Sequence, residues 1–166
     1  QKTKEIESVM AGAKAYTAVL KLGAVTASYD AEAPEVPTGQ PIPPLEQDLE
    51  SELRSRFTGS VMQVPPQFSA VKVGGTRAYD LARTGRVAAL SARPLNIDAL
   101  AFRALDSRHW ELTVNCGKGT YIRSLAHDIG QHLGCGAYLT ALRRTEVAPF
   151  THMHPIDAVL AAIQSS

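Results

Sequence analysis

At 166 residues the chain is one domain's worth by the usual ~100–200 residues per domain, with room for a single hydrophobic core. Charged residues make up 20% and apolar, aromatic and cysteine residues 45%, which excludes disorder by composition, and no apolar run approaches the ~20 residues of a membrane span, so a soluble protein without a membrane partner is expected. The formal charge of +1 divides unevenly: residues 1–52 carry four lysines against nine acids, a net of −5, and residues 53–166 carry thirteen basic side chains against seven acids, a net of +6.

In chain order, Ala15–Leu22 alternates with Tyr16, Ala18, Leu20 and Leu22 on one face, which predicts a half-buried strand closed by Gly23. Pro34–Pro44 holds five prolines and predicts a loop, since proline is excluded from helix interiors and central strands. Leu45, Leu49, Leu53 and Phe57 then recur every fourth residue, a helix with Pro44 in its first turn and Gly59 as its stop. Gln63–Gly75 mixes Pro, Gly and Ser with apolar residues and reads as an irregular connector, followed by a short helix over Thr76–Thr84. Leu95–Leu105 and Trp110–Val114 alternate as strands around the polar turn Asp106-Ser107-Arg108, an antiparallel hairpin. Thr120–Leu133 places Ile122, Leu125, Ile129 and Leu133 on one helical face, with Gly134 as its stop. Ala137–Arg144 and Pro155–Ile163 are expected as two further helices. The class is α+β, a mixed, mainly antiparallel sheet flanked by helices.

Cys116 and Cys135 form no CxxC pair and no disulfide framework, which fits a reducing cytoplasm. With His127 and His132 they fall within twenty residues of each other, but the two histidines stand five apart on a helix, about 140° around its axis, and diverge rather than converge on a metal. No metal site is expected. Cys116 ends an apolar strand, where cysteine is ordinarily a small buried hydrophobe rather than a nucleophile.

Arginine dominates the basic part, with Arg77, Arg83, Arg86, Arg93, Arg103, Arg108, Arg123, Arg143 and Arg144. Arginine forks onto phosphate and stacks on bases, so a polyanion such as nucleic acid is a candidate partner, the alternative being a solvated surface. Gly117-Lys118-Gly119-Thr120 ends in a helix start without Walker spacing; it is either an anion contact or a plain capped terminus. Tyr121 and Arg123 are expected in the first turn of that helix. A cation there opposes the helix dipole, so Arg123 calls for a carboxylate or phosphate partner, for which Asp128 is a candidate; the alternative is a surface arginine over a core isoleucine.

The run from Cys116 to Gly130 (CGKGTYIRSLAHDIG), then Leu133-Gly134-Cys135-Gly136-Ala137 and Leu142-Arg143-Arg144-Thr145, resembles the TruB family of tRNA pseudouridine synthases. Lys14-Ala15-Tyr16 leading into Leu22-Gly23, Gln63–Lys72 (QVPPQFSAVK) and Ala78–Arg83 (AYDLAR) with Gly85 agree in the same order, and Thr26-Ala27-Ser28-Tyr29-Asp30 resembles the stretch that follows the first of these strands. The resemblance spans roughly residues 1–160. It implies the pseudouridine synthase fold and isomerisation of uridine 55 in the tRNA T-loop, without cofactor or metal, by a monomer.

By the same resemblance Tyr16 is a stacking platform for a flipped base, although a strand tyrosine in this position also packs as plain core. Arg123 pairs with the family's catalytic aspartate, Tyr121 lies near the base as a possible proton acceptor, and Leu142 forms an apolar wall. Residues 63–93 become an RNA-gripping insertion in which Lys72, Arg77, Arg83 and Arg86 combine charge with the stacking surfaces of Phe68 and Tyr79. One departure stands out. The aspartate lies in the family within a Gly-Thr-Leu-Asp-Pro segment, and none occurs between Gln1 and Ser166; Asp30 and Asp48 match nothing catalytic. The chain, which starts at Gln1 without a methionine, is therefore expected to be a fragment of a longer enzyme that is inactive alone. The alternative is a non-catalytic RNA-binding or tRNA-folding module of the same fold.

Overall fold

The computed structural model describes residues 14–145. Its frame is a five-stranded antiparallel sheet in the order β4-β7-β8-β1-β9. Strand β1 (Lys14–Leu22) buries Ala18, Leu20 and Leu22 by strict alternation, with Tyr16 half-buried on the same face at the strand's start. Two two-residue strands, β2 (Ala24–Val25) and β3 (Val36–Pro37), pair beside it, so the proline-rich loop is not wholly irregular: Pro37 is tolerated because it lies at an edge.

Helix α1 (Gln47–Phe57) buries Leu53, while Leu45, Leu49 and Phe57 pack on the core half-covered. It starts later than the sequence periodicity suggests. Glu46 is the N-cap, and Pro44 and Leu45 precede the helix. Thr58 then donates to the Arg54 carbonyl, and Gly59, at φ +83°, turns the chain into β4 (Gly59–Gln63), an edge strand that sequence reading missed.

Between β4 and the next main strand lies a small hairpin, β5 (Lys72–Val73) and β6 (Thr76–Arg77), closed by Gly74-Gly75 with both φ angles positive, as a two-residue hairpin turn demands. Helix α2 (Ala78–Arg83) follows directly, shorter than expected because Thr76 and Arg77 are spent on the hairpin. Strands β7 (Arg93–Ala104) and β8 (His109–Cys116) form the predicted hairpin; Asp106 accepts from the Arg108 and His109 backbone N–H groups at 2.7 and 2.8 Å, which fixes the turn.

Helix α3 (Ile122–Leu133) buries Ile122, Leu125 and Ile129 against the sheet and ends at Gly134, which is left-handed at φ +79°. The segment expected as a further short helix is instead strand β9 (Ala137–Thr145), paired with β1 along nearly its whole length, from Leu22↔Ala137 to Ala15↔Thr145, with a bulge at Val19/Leu20. Its Ala, Leu and Arg content favours helix locally, but the otherwise open edge of β1 and the turn through Gly134 and Gly136 override that preference. The helix expected over Pro155–Ile163 lies outside the described residues. Among those residues no helix is long and apolar enough to cross a membrane. The fold is α+β, with one core between the sheet and the helices α1 and α3.

Candidate functional site

Three segments far apart in sequence meet at the start of α3: residues 26–30 after β2, residues 63–68 after β4, and residues 121–124. Tyr121 is the N-cap, extended at φ −98°, rather than a first-turn residue. No side chain of its own caps the helix. The buried amide of Gln63 serves instead, accepting from the Tyr121 N–H at 2.9 Å and donating to the Tyr121 carbonyl at 3.1 Å. One turn on, the Ser124 hydroxyl donates to the Val64 carbonyl at 2.8 Å.

Arg123, three-quarters buried, reaches across the same junction. Its Nη2 donates to the Phe68 carbonyl at 2.9 Å and its Nη1 to the Ser28 carbonyl at 3.4 Å, with Asp30 Oδ2 3.6 Å from Nη1. The carboxylate that offsets its unfavourable position at a helix N-terminus is therefore Asp30, not Asp128. Arg123 and Asp128 stand five apart on the helix and so point about 140° away from one another. Asp30 is itself held in place, accepting from the Ser28 hydroxyl and from the Glu32 N–H at 3.0 Å. Asp128, with no cation against it among the described residues, has its carboxyl pushed up to about 6 by burial.

Tyr29, between Ser28 and Asp30, is the non-glycine residue among those described with positive φ (+65°), and its ring lies flat on His127, centroids 3.9 Å apart and planes 11° from parallel. Burial holds the His127 imidazole below its usual pKa, and its buried Nδ1 has no hydrogen-bond partner among the described residues, so the neutral ring is favoured. Burial and the nearby Asp128 raise the Tyr29 hydroxyl.

The remaining sequence candidates divide into two groups. Tyr16 and Leu142 share a face at the β1–β9 border: Tyr16 pairs with Arg144 and Ala18 with Leu142, which puts Tyr16 and Leu142 diagonal to each other, with Leu142 about half exposed. Lys72, Arg77, Tyr79 and Arg83 lie on the β5–β6–α2 unit and are exposed. There Phe68 and Tyr79 meet edge to face at 6.0 Å, and the Arg83 guanidinium sits 5.9 Å from the Tyr79 ring centroid. Arg77 is engaged by Asp80 at 2.9 Å. The Phe68 carbonyl joins this unit to Arg123.

The glycine loop before α3 offers less to an anion than its sequence suggests, since the Gly117 N–H is already given to the Asn96 carbonyl at 2.9 Å; Lys118 is exposed. Cys116 and Cys135 are buried and free, and burial raises both thiols, which disfavours a thiolate nucleophile. His132 bonds Glu52 at 2.7 Å, remote from His127 and its tyrosine. Sequence reading missed Gln63 and Asp30 as members of this junction. Asp30 left one signal, the polar residues Thr26, Ser28, Tyr29 and Asp30 that follow Ala24-Val25; Gln63 left none, because its partner lies 58 residues away.

A family model described as TruB family pseudouridylate synthase (N terminal domain) matches residues 1–122, and one described as tRNA pseudouridylate synthase B C-terminal domain matches residues 123–165. Among curated proteins, tRNA pseudouridine synthase B of Chelativorans sp. (strain BNC1) is 46% identical over 149 residues, covering 89% of the chain and 47% of the relative. Its namesake in Agrobacterium fabrum is 42% identical over 164 residues, covering 96% and 51%. The chain thus spans about half the length of the curated relatives it matches. Among solved structures, a chain in the crystal structure of a Cbf5-Nop10-Gar1 complex superposes with a TM-score of 0.53 at 25% identity, over 88% of this chain and 34% of that one.

Proposed function

The chain belongs to the TruB family of pseudouridylate synthases, and from that membership we propose that it forms the part of a tRNA pseudouridine synthase that receives the T-loop and isomerises uridine 55. The observation that carries the reading is the junction itself: Arg123, locked by Asp30 and by two carbonyls from separate segments, stands two residues from Tyr121 and is bonded through Phe68 to an exposed unit bearing Lys72, Arg77, Tyr79 and Arg83.

The chemistry asks for little else from these residues. A base must be drawn from its stack at a cost of a few kcal/mol and held by aromatic surface and hydrogen bonds, for which Tyr16 and Leu142 supply the platform and the apolar wall. The glycosidic bond must then be broken and remade at C5, with loss of the C5 proton. A guanidinium carries five N–H donors. Those of Arg123 not given to Phe68 and Ser28 can keep the family's aspartate ionised, and Tyr121 stands next to the base to accept the proton. Residues 63–93 grip the RNA, and the basic charge beyond residue 52 draws the polyanion in. A cytoplasmic monomer follows from the same reading.

The test is tritium release from tRNA labelled at uridine C5, with the full-length protein that carries this chain. Release that stops when uridine 55 is replaced by cytidine supports the proposal. Tight tRNA binding with no release from any uridine overturns it in favour of a non-catalytic RNA-binding module.

A further inference from the structure

We propose that Gln63 is a positioning residue for the reaction, acting through Tyr121. The inference rests on the reading above, in which Tyr121 works at the base. Gln63 is the last residue of β4 and is 4% exposed, yet its side chain makes no bond within its own strand. Both ends of its amide are committed to one residue, the oxygen to the Tyr121 N–H and the nitrogen to the Tyr121 carbonyl. A peptide N–H accepts no hydrogen bond and a carbonyl donates none, so the amide has a single permitted orientation. The two bonds hold the peptide groups on either side of the Tyr121 Cα, and the direction of the Cα–Cβ bond that aims the Tyr121 ring follows from the setting of both. The Tyr121 side chain itself makes no capping bond at this helix end. The Ser124–Val64 and Arg123–Phe68 bonds continue the seam on the same two segments, so the whole strand-to-helix junction is registered against the end of β4.

The experiment is a double-mutant cycle in the full-length enzyme, reading single-turnover rate and tRNA dissociation constant for Gln63→Leu, Tyr121→Phe and the pair. Gln63→Leu is expected to lower the rate about tenfold or more while tRNA affinity stays within about twofold, since a misaimed group costs rate rather than binding. In the Tyr121→Phe background the same change should cost less than about twofold, because the hydroxyl it aims is gone. Equal losses in both backgrounds overturn the proposal and leave Gln63 as a packing residue. A full rate for Tyr121→Phe alone overturns the underlying reading of Tyr121, and the proposal with it.

Gln63→Glu covers the case in which the leucine variant does not fold. Protonated, the carboxyl can still donate to the Tyr121 carbonyl; ionised, it faces that oxygen with like charge. Its rate relative to the parent should therefore rise as pH is lowered from about 8 to about 6. A ratio that does not change with pH overturns the proposal.

Discussion

Arg123 opens α3, where the dipole resists a cation, and it stays because Asp30, Ser28 and Phe68 hold it from two other segments. Replacing it with alanine should lower the single-turnover rate on the order of 100-fold, with tRNA affinity within about threefold, since the loss falls on a carboxylate left without its cation. Single-turnover kinetics and a dissociation constant on the same variant check this; poor binding with a normal saturated rate would make Arg123 a phosphate contact. Asp128 carries a prediction of a different kind. Its folded-state pKa of about 6 lies above the ordinary 3.8, so the folded state holds the proton more tightly than the unfolded chain. Stability contributed by the protonated form is present at low pH and lost as pH rises through about 6. Asp128→Asn should therefore unfold like the parent near pH 4 and become the more stable of the two above about pH 6, as read by denaturant titration across that range. Of these two residues, Arg123 was legible in the sequence because a cation at a helix start demands a partner. The partner's identity was not, because it depends on a loop ninety-odd residues earlier arriving at the same place.

At the scale of elements, β1 and α3 were legible because each shows the period of its buried face, and the β7–β8 hairpin because two apolar runs flank a polar turn. Strand β4 was not: of its five residues only Gln63 is buried, so no alternation survives in the sequence. Strand β9 misled because its residue types favour a helix, while its pairing partner is remote. The contact between α3 and β9 is unusually close. A methyl group at Gly130 would fall on the backbone nitrogen of Ala137 and within 2.7 Å of the Ala137 Cβ, and the Gly136 N–H donates to the Gly130 carbonyl at 3.0 Å. Gly130→Ala should cost about 1–3 kcal/mol despite alanine's better helix propensity, measured as a shift in unfolding free energy. The β5–β6–α2 unit makes the opposite kind of prediction, since its charges face outward. Affinity for a T-loop hairpin should fall with salt, and charge reversal at Lys72 and Arg83 should reduce the slope of log K against log salt by about 2. Reversal at Arg77 should matter less, because Asp80 already holds that guanidinium. A salt-independent affinity would rule out this unit as the RNA contact.

For the molecule as a whole, the family was legible from ordered motifs, whereas the junction at Tyr121 was not, because no two of its three segments are neighbours in sequence. The 166 residues by themselves contain no Gly-Thr-Leu-Asp-Pro segment. These residues expressed alone should bind a T-loop hairpin and release no tritium from C5-labelled tRNA. Release at a rate comparable with full-length relatives would place the nucleophile within this chain.

Tyr29 imposes a rule on sequence change. Its backbone is left-handed, which costs an ordinary residue about 1–2 kcal/mol and glycine almost nothing, while its ring covers the face of His127. Glycine answers the first requirement and an aromatic ring the second; no single amino acid meets both freely. A glycine at position 29 would therefore relieve the backbone and uncover the face of His127, and would call for a residue at 127 that needs no cover. The loop that presents Asp30 to Arg123 is in that sense tied to the helix residue it covers.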